Sequence, residues 1–183
     1  MRSALFPLFL AASLPAQENV LHDGVPGLRF DNGAIELVVL PQGGAFASLT
    51  LAADKSRTNL LWDPARFEGE GFGPSKGHFL CVDGFGPVTE AERAAGLPDH
   101  GEANKLAWEV VLSTDTSATF RLRLPLVQET LTRRVFMAAN EQVVLVETEL
   151  ASELPFDRVI LWAEHATIGA PFLALGKTVV DQS

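Results

Sequence analysis

The chain has 183 residues, 47% of them hydrophobic and 20% charged, with a formal net charge of −9 from 14 basic and 23 acidic residues. This length accommodates one domain with a real core, and the composition is that of a globular chain rather than a disordered or membrane-embedded one. An acidic surface with no basic cluster larger than Arg133-Arg134 repels phosphate backbones, which makes nucleic acid a poor partner. A neutral small molecule or a protein partner stays open.

The chain opens with Met1-Arg2 and an apolar run, Ala4 to Leu14, followed by Ala16 and Gln17. One positive charge, a short apolar core and a small residue form the pattern of a secretory signal over residues 1–16, so the mature domain is 17–183 and is exported. The competing reading is a buried N-terminal strand. The run is too short to span a bilayer, and no later apolar stretch is long enough for a transmembrane helix.

Period-two alternation then dominates. Residues 34–40 and 45–51 read as strands, separated by the turn Pro41-Gln42-Gly43-Gly44 and preceded by the turn Asp31-Asn32-Gly33. The Gly- and Pro-rich span 68–87 reads as one long connection. Within it the lone cysteine, Cys81, sits in the apolar run Phe79-Leu80-Cys81-Val82. It is expected to pack as a small hydrophobe, because no neighbour in sequence activates it as a nucleophile. Thr89-Glu90-Ala91-Glu92 is a capping box, and Gly96 a natural stop, which predicts a helix of one or two turns. Strands follow over 106–112, 120–124 and 142–150, with a turn at Asp115-Thr116-Ser117. Phe120, Leu122 and Leu124 alternate with Arg121 and Arg123. The chain is therefore all-β, an antiparallel sandwich in preference to a barrel, although alternation alone does not separate the two.

Four histidines are present: His22 in a polar entry segment, and His78, His100 and His165 beside glycine or acidic residues. Their surroundings carry more than periodicity. Gly43-Gly44-Ala45-Phe46-Ala47-Ser48-Leu49 precedes Asn59-Leu60-Leu61-Trp62. Then come His100-Gly101 with Trp108, Thr132-Arg133-Arg134, and Trp162-Ala163-Glu164-His165 followed by Gly169-Ala170-Pro171. In this order the blocks resemble the aldose 1-epimerase (galactose mutarotase-like) family over about residues 30 to 175, its N-terminal part.

The resemblance implies a twisted β-supersandwich, truncated here, and a reaction that interconverts the α and β anomers of a free sugar without a cofactor. Such a reaction needs a proton delivered to the ring oxygen and another removed from the anomeric hydroxyl. By position, His165 matches the family's general acid and His100 its substrate-orienting histidine. The family's general base is a glutamate from the later half of the domain, which has no counterpart before Ser183. Where relatives carry arginines, this chain has Gly77-His78 and Asn104-Lys105, so His78 and Lys105 are candidate sugar-hydroxyl donors.

Trp62, Trp108 and Trp162 lie in apolar runs and are expected in the core rather than stacked on sugar. His100, Glu102, Glu164 and His165 have ligand chemistry but not the spacing of an established metal site, so no metal is expected. Three functional readings follow: a mutarotase-like isomerase, a carbohydrate-binding module without turnover, or an inactive fragment. The small-molecule carbohydrate is the partner in the first two. An unfinished sheet, with apolar strands left uncovered, implies self-association.

Overall fold

The computed structural model describes residues 18–63, 76–179 and 181, so the expected export signal, residues 1–16, lies outside the described residues. Ten strands and one short helix follow in order: β1 (Glu18–His22), β2 (Val25–Asp31), β3 (Ile35–Leu40), β4 (Ala45–Leu51), β5 (His78–Val82), α1 (Glu90–Ala94), β6 (Glu109–Thr114), β7 (Ser117–Leu124), β8 (Glu129–Phe136), β9 (Leu145–Ser152) and β10 (Trp162–Ala166). They form two antiparallel sheets, one ordered β1-β2-β3-β4-β5-β10 and the other β6-β7-β8-β9. The chain builds five strands of the first sheet, then all of the second, and returns to add β10 against β5.

Alternation decides which side chains lie between the sheets. Ala118, Phe120, Leu122 and Leu124 of β7 face inward, against Leu28, Phe30, Leu37, Val39, Leu80 and Val82 of the first sheet. Burying one such Leu or Phe contributes about 1.5–3 kcal/mol, so this single cluster carries the fold. β8 departs from the apolar pattern. Its inward positions are Glu129, Leu131, Arg133 and Val135, which puts two charged side chains into the interior.

The strands expected over 34–40 and 45–51 are β3 and β4, and the capping box is present: the Thr89 hydroxyl accepts from the Glu92 N–H while the Glu92 carboxylate accepts from the Thr89 N–H. Three expectations need correction. The span 68–87 is not one connection, since 78–82 is a buried strand. The strand expected from Leu106 starts at Glu109, because Trp108 is held aside with its indole N–H donating to the Ala103 carbonyl. Finally, Trp108 is buried and Trp62 half-buried, but Trp162 is exposed: among the described residues β10 is the last strand of its sheet, with no neighbour beyond it to cover that ring.

Candidate functional site

β5 and β10 pair so that His165 lies opposite Phe79 and Ala163 opposite Cys81, which puts all four side chains on the outer face of the first sheet. Glu164 lies opposite Leu80, on the face turned toward the second sheet. This one-residue alternation divides the polar residues of the region into two clusters.

The outer cluster centres on the histidine pair. His100 comes from the turn after α1 with left-handed backbone, φ 67°, followed by Gly101 at φ 75°. A Cβ on Gly101 would sit 1.9 Å from the Val82 carbonyl oxygen, so only glycine lets this turn press against β5. The turn brings the His100 ring to 5.4 Å from that of His165, centroid to centroid and edge-to-face. Phe79 stacks on His165 at 4.5 Å and meets His100 edge-on at 5.6 Å. The exposed ring of Phe85 flanks both, at 6.0 Å from His100 and 5.4 Å from His165.

Hydrogen bonds define what each imidazole can do. The Gly86 N–H donates to His100 Nδ1 at 3.2 Å, and a backbone amide can only donate, so Nδ1 is an acceptor and the ring proton is on Nε2. Burial, then repulsion from His165 and Lys105, lowers the His100 pKa and keeps that ring neutral. His165 Nδ1 lies 3.0 Å from the Thr167 hydroxyl, leaving Nε2 open. The Thr167 backbone is itself pinned, accepting from Trp62 N–H and donating to the Gly77 carbonyl. Cys81 Sγ is 3.5 Å from His100 Nδ1 but fully buried, and burial raises its thiol to about 11, so it stays a packed thiol and not a nucleophile.

The inner cluster is a set of charge pairs between the sheets. Arg133, almost fully buried, donates to both oxygens of Glu164 at 2.8 and 2.9 Å and to the Thr148 hydroxyl at 3.1 Å, with its guanidinium over the Phe46 ring. His78 Nε2 completes the group at 2.7 Å from Glu164. Nearby, Arg158 binds Asp83 through two nitrogens and also reaches Glu129. Burial opposes ionisation of Glu164, but the hydrogen bonds and charges of His78 and Arg133 outweigh it and hold the carboxyl at about 2.

Of the residues expected in the site, His100 and His165 come together. His78 lies on the opposite face of the sheet, engaged with Glu164. Lys105 stands near enough to His100 to repel its proton, and its ammonium has no carboxylate within ion-pair distance among the described residues. The four-residue metal set is not assembled: Glu164 faces inward, and Glu102 accepts the N–H groups of Leu126 and Val127. Among the described residues, His22, Asp23 and Asp63 do converge, but the Lys76 ammonium already bridges the two carboxylates. Phe79, Phe85, Gly86 and Thr167 were not singled out from the sequence. Arg133 shares one face of β8 with Leu131 and Val135, which is the sign in the sequence of an inward charge. A separate hollow of about 370 Å3 lies beside Ile35, Leu51 and Phe172, apart from the histidines and walled mainly by apolar side chains.

No family model and no curated protein sequence matches the chain. Solved structures do. A "putative mutarotase" from Salmonella typhimurium superposes with a TM-score of 0.54 at 20% identity, over 79% of this chain and 50% of its own. A galactose mutarotase-like protein from Lactobacillus casei gives a TM-score of 0.54 at 14% identity, over 69% of this chain and 44% of its own. The fold is galactose mutarotase-like. This mutarotase-like chain spans about half the length of the solved structures it matches. No helix among its described residues is long and apolar enough to cross a membrane.

Proposed function

We propose that this chain binds an aldose beside the exposed Phe85 ring and the histidine pair and supplies the proton-donating side of anomer interconversion. The observation that carries the reading is the edge-to-face contact of His100 and His165, remote in sequence, on one face of a mutarotase-like sheet. The two rings are not equivalent. His100, with its proton fixed on Nε2 by the Gly86 N–H, is a hydrogen-bond donor that holds a sugar oxygen. His165, with Nδ1 against Thr167, presents Nε2 as the group that passes a proton to the ring oxygen when the C1–O5 bond opens. Phe85 supplies the exposed apolar face against which sugar C–H bonds pack, while the buried Phe79 ring supports His165 from below.

The opposite proton, on the anomeric hydroxyl, needs a base. Glu102 and Glu164 are the neighbouring carboxylates in sequence, and both are committed elsewhere, one to backbone amides and one to Arg133 and His78. That commitment favours binding without rapid turnover by these residues alone. The test is a sugar titration followed at the imidazole nitrogens by NMR, with anomer exchange measured in the same samples. Aldose should perturb both His100 and His165, and His165→Asn should abolish the binding response. Silence of both rings at tens of millimolar sugar would sink the proposal.

A further inference from the structure

The Arg158–Asp83–Glu129 group is charged and largely buried and takes no part in proton transfer, yet it stands directly behind the loop that carries Phe85. Arg158, in the connection between β9 and β10, donates to Asp83 Oδ1 at 2.8 Å and to Oδ2 at 2.5 Å, and also reaches Glu129 at the start of β8. Glu129 is fully buried and Asp83 nearly so, which keeps these contacts mostly out of solvent. The Asp83 N–H in turn donates to the Leu161 carbonyl at 2.8 Å, just before β10. One residue past β5, the chain is thus held in the fork of a guanidinium, which fixes an angle as well as a distance.

Immediately after Asp83 comes the loop that grips His100. Asp83 has left-handed backbone, φ 57°, and leads into Gly84, Phe85 and Gly86. A Cβ on Gly84 would lie 2.8 Å from the Gly101 nitrogen, so the loop is pressed against the histidine turn. Gly86 then holds His100 twice: its carbonyl accepts from the His100 N–H at 3.1 Å, and its N–H donates to Nδ1 at 3.2 Å. Phe85 lies between these two anchors, with its exposed ring beside both imidazoles. A buried ion pair adds little net stability against apolar side chains of the same volume, so stability is a weak reason for one here. Its distinctive contribution is geometry, because the N–H that fixes the His100 tautomer lies only three residues past the fork.

We propose that Asp83, clamped by Arg158, is a positioning residue for the sugar site: it fixes the loop that carries Phe85 and Gly86, and through Gly86 the tautomer of His100. This role deepens the carbohydrate reading and rests on it for the ligand alone. No proton passes through Asp83 or Arg158. Without the fork the loop is free to leave the histidine turn, the His100 proton is shared between Nδ1 and Nε2, and the Phe85 ring loses its place beside His165.

The test uses the full chain, comparing wild type with Asp83→Asn, Arg158→Lys and, as a change in the core alone, Leu122→Val. Asp83→Asn keeps the size of the side chain and leaves Arg158 balanced by Glu129, so the chain should still fold. Arg158→Lys keeps the charge and loses the fork. In NMR spectra without sugar, wild-type His100 should show Nδ1 as an unprotonated acceptor and Nε2 as protonated. Asp83→Asn should shift the Gly86 amide, mix the two His100 tautomers and raise the His100 titration midpoint toward 6.5, because the ring loses part of the burial that lowers it. His165 should keep its hydrogen bond to Thr167, which the loop does not touch. Affinity for D-glucose or D-galactose should fall about tenfold in Asp83→Asn. Arg158→Lys should move the same signals in the same direction, and Leu122→Val should lower the melting temperature without moving them. A lowered melting temperature in Asp83→Asn, with Gly86 and His100 as in wild type, would overturn the proposal, and so would a changed His100 with unchanged affinity. Should Asp83→Asn fail to fold, Arg158→Lys decides on the same signals. A wild type that binds neither sugar would remove the carbohydrate reading, while the sugar-free signals would still decide whether Asp83 sets the His100 tautomer.

Discussion

Arg133 is a guanidinium placed where a leucine would satisfy the pattern of β8, and it is tolerated because Glu164 meets it with two oxygens. Such a buried pair adds little net stability against an apolar substitute, but removing one partner leaves a desolvated charge behind. Because Glu164 itself is more than one-third exposed, solvent screens part of this effect, and Glu164→Gln should destabilise the fold by about 1–2 kcal/mol, a fall of about 5 °C in melting temperature for a chain of this size. The pH dependence has a definite direction. Glu164 has its carboxyl held at about 2 in the folded chain, below the 4.5 of a free glutamate. Its contribution is fully present above pH 4.5 and is lost as pH falls toward 2, since the unfolded chain takes up the proton first. Acid titrations of wild type and Glu164→Gln should diverge above pH 4.5 and converge near pH 2. Parallel curves would mean that the carboxylate is not what neutralises Arg133.

Among the elements, α1 is only five residues long and buries no side chain, so it depends on its cap. Thr89 and Glu92 exchange hydrogen bonds, and Arg93 reaches Asp99, which also accepts the Val88 N–H one residue before His100. Helix and histidine turn are thus tied together. Thr89→Ala should cost about 1 kcal/mol and speed amide exchange from Val88 to Gly101 while leaving β7 and β8 protected. Uniform change across the sheets would refute this local role. The cap was legible in sequence because its chemistry is contained in four consecutive residues. β3, β4 and β7 were legible because alternation is local too. β5 was hidden: its burial on both faces removes the alternation, and a Gly-rich flank disguises it as loop. The separation of Glu164 from His165 onto opposite faces follows from period two, yet their chemical kinship as neighbours suggests one site until the register with β5 is known.

At the scale of the whole molecule, the two sheets share one core but end on open edges. Among the described residues β10 pairs with β5 alone, and β6 and β9 bound the second sheet. Around β10 the chain presents Val159, Leu161 and Trp162 to solvent, and beyond it Leu173, Leu175 and Val179. Polar alternatives at these positions would cost the interior nothing, since none of the six packs in the described core clusters. An unpaired strand edge flanked by apolar side chains offers both backbone hydrogen bonds and dry surface to another strand. Each of the two solved structures that share this fold is matched over about half of its own length. Residues 17–183 produced alone should therefore associate at micromolar concentration, with light scattering reporting a mass at least double that of one chain. Two substitutions at this edge, Leu161→Lys and Trp162→Lys, should shift the distribution toward single chains without lowering the melting temperature, because neither side chain is buried. Association that persists in the double variant would place the contact elsewhere, with the edges of β6 and β9 next in line. A wild-type chain that stays a single copy across the concentration range would show that this apolar edge is tolerated by a lone molecule.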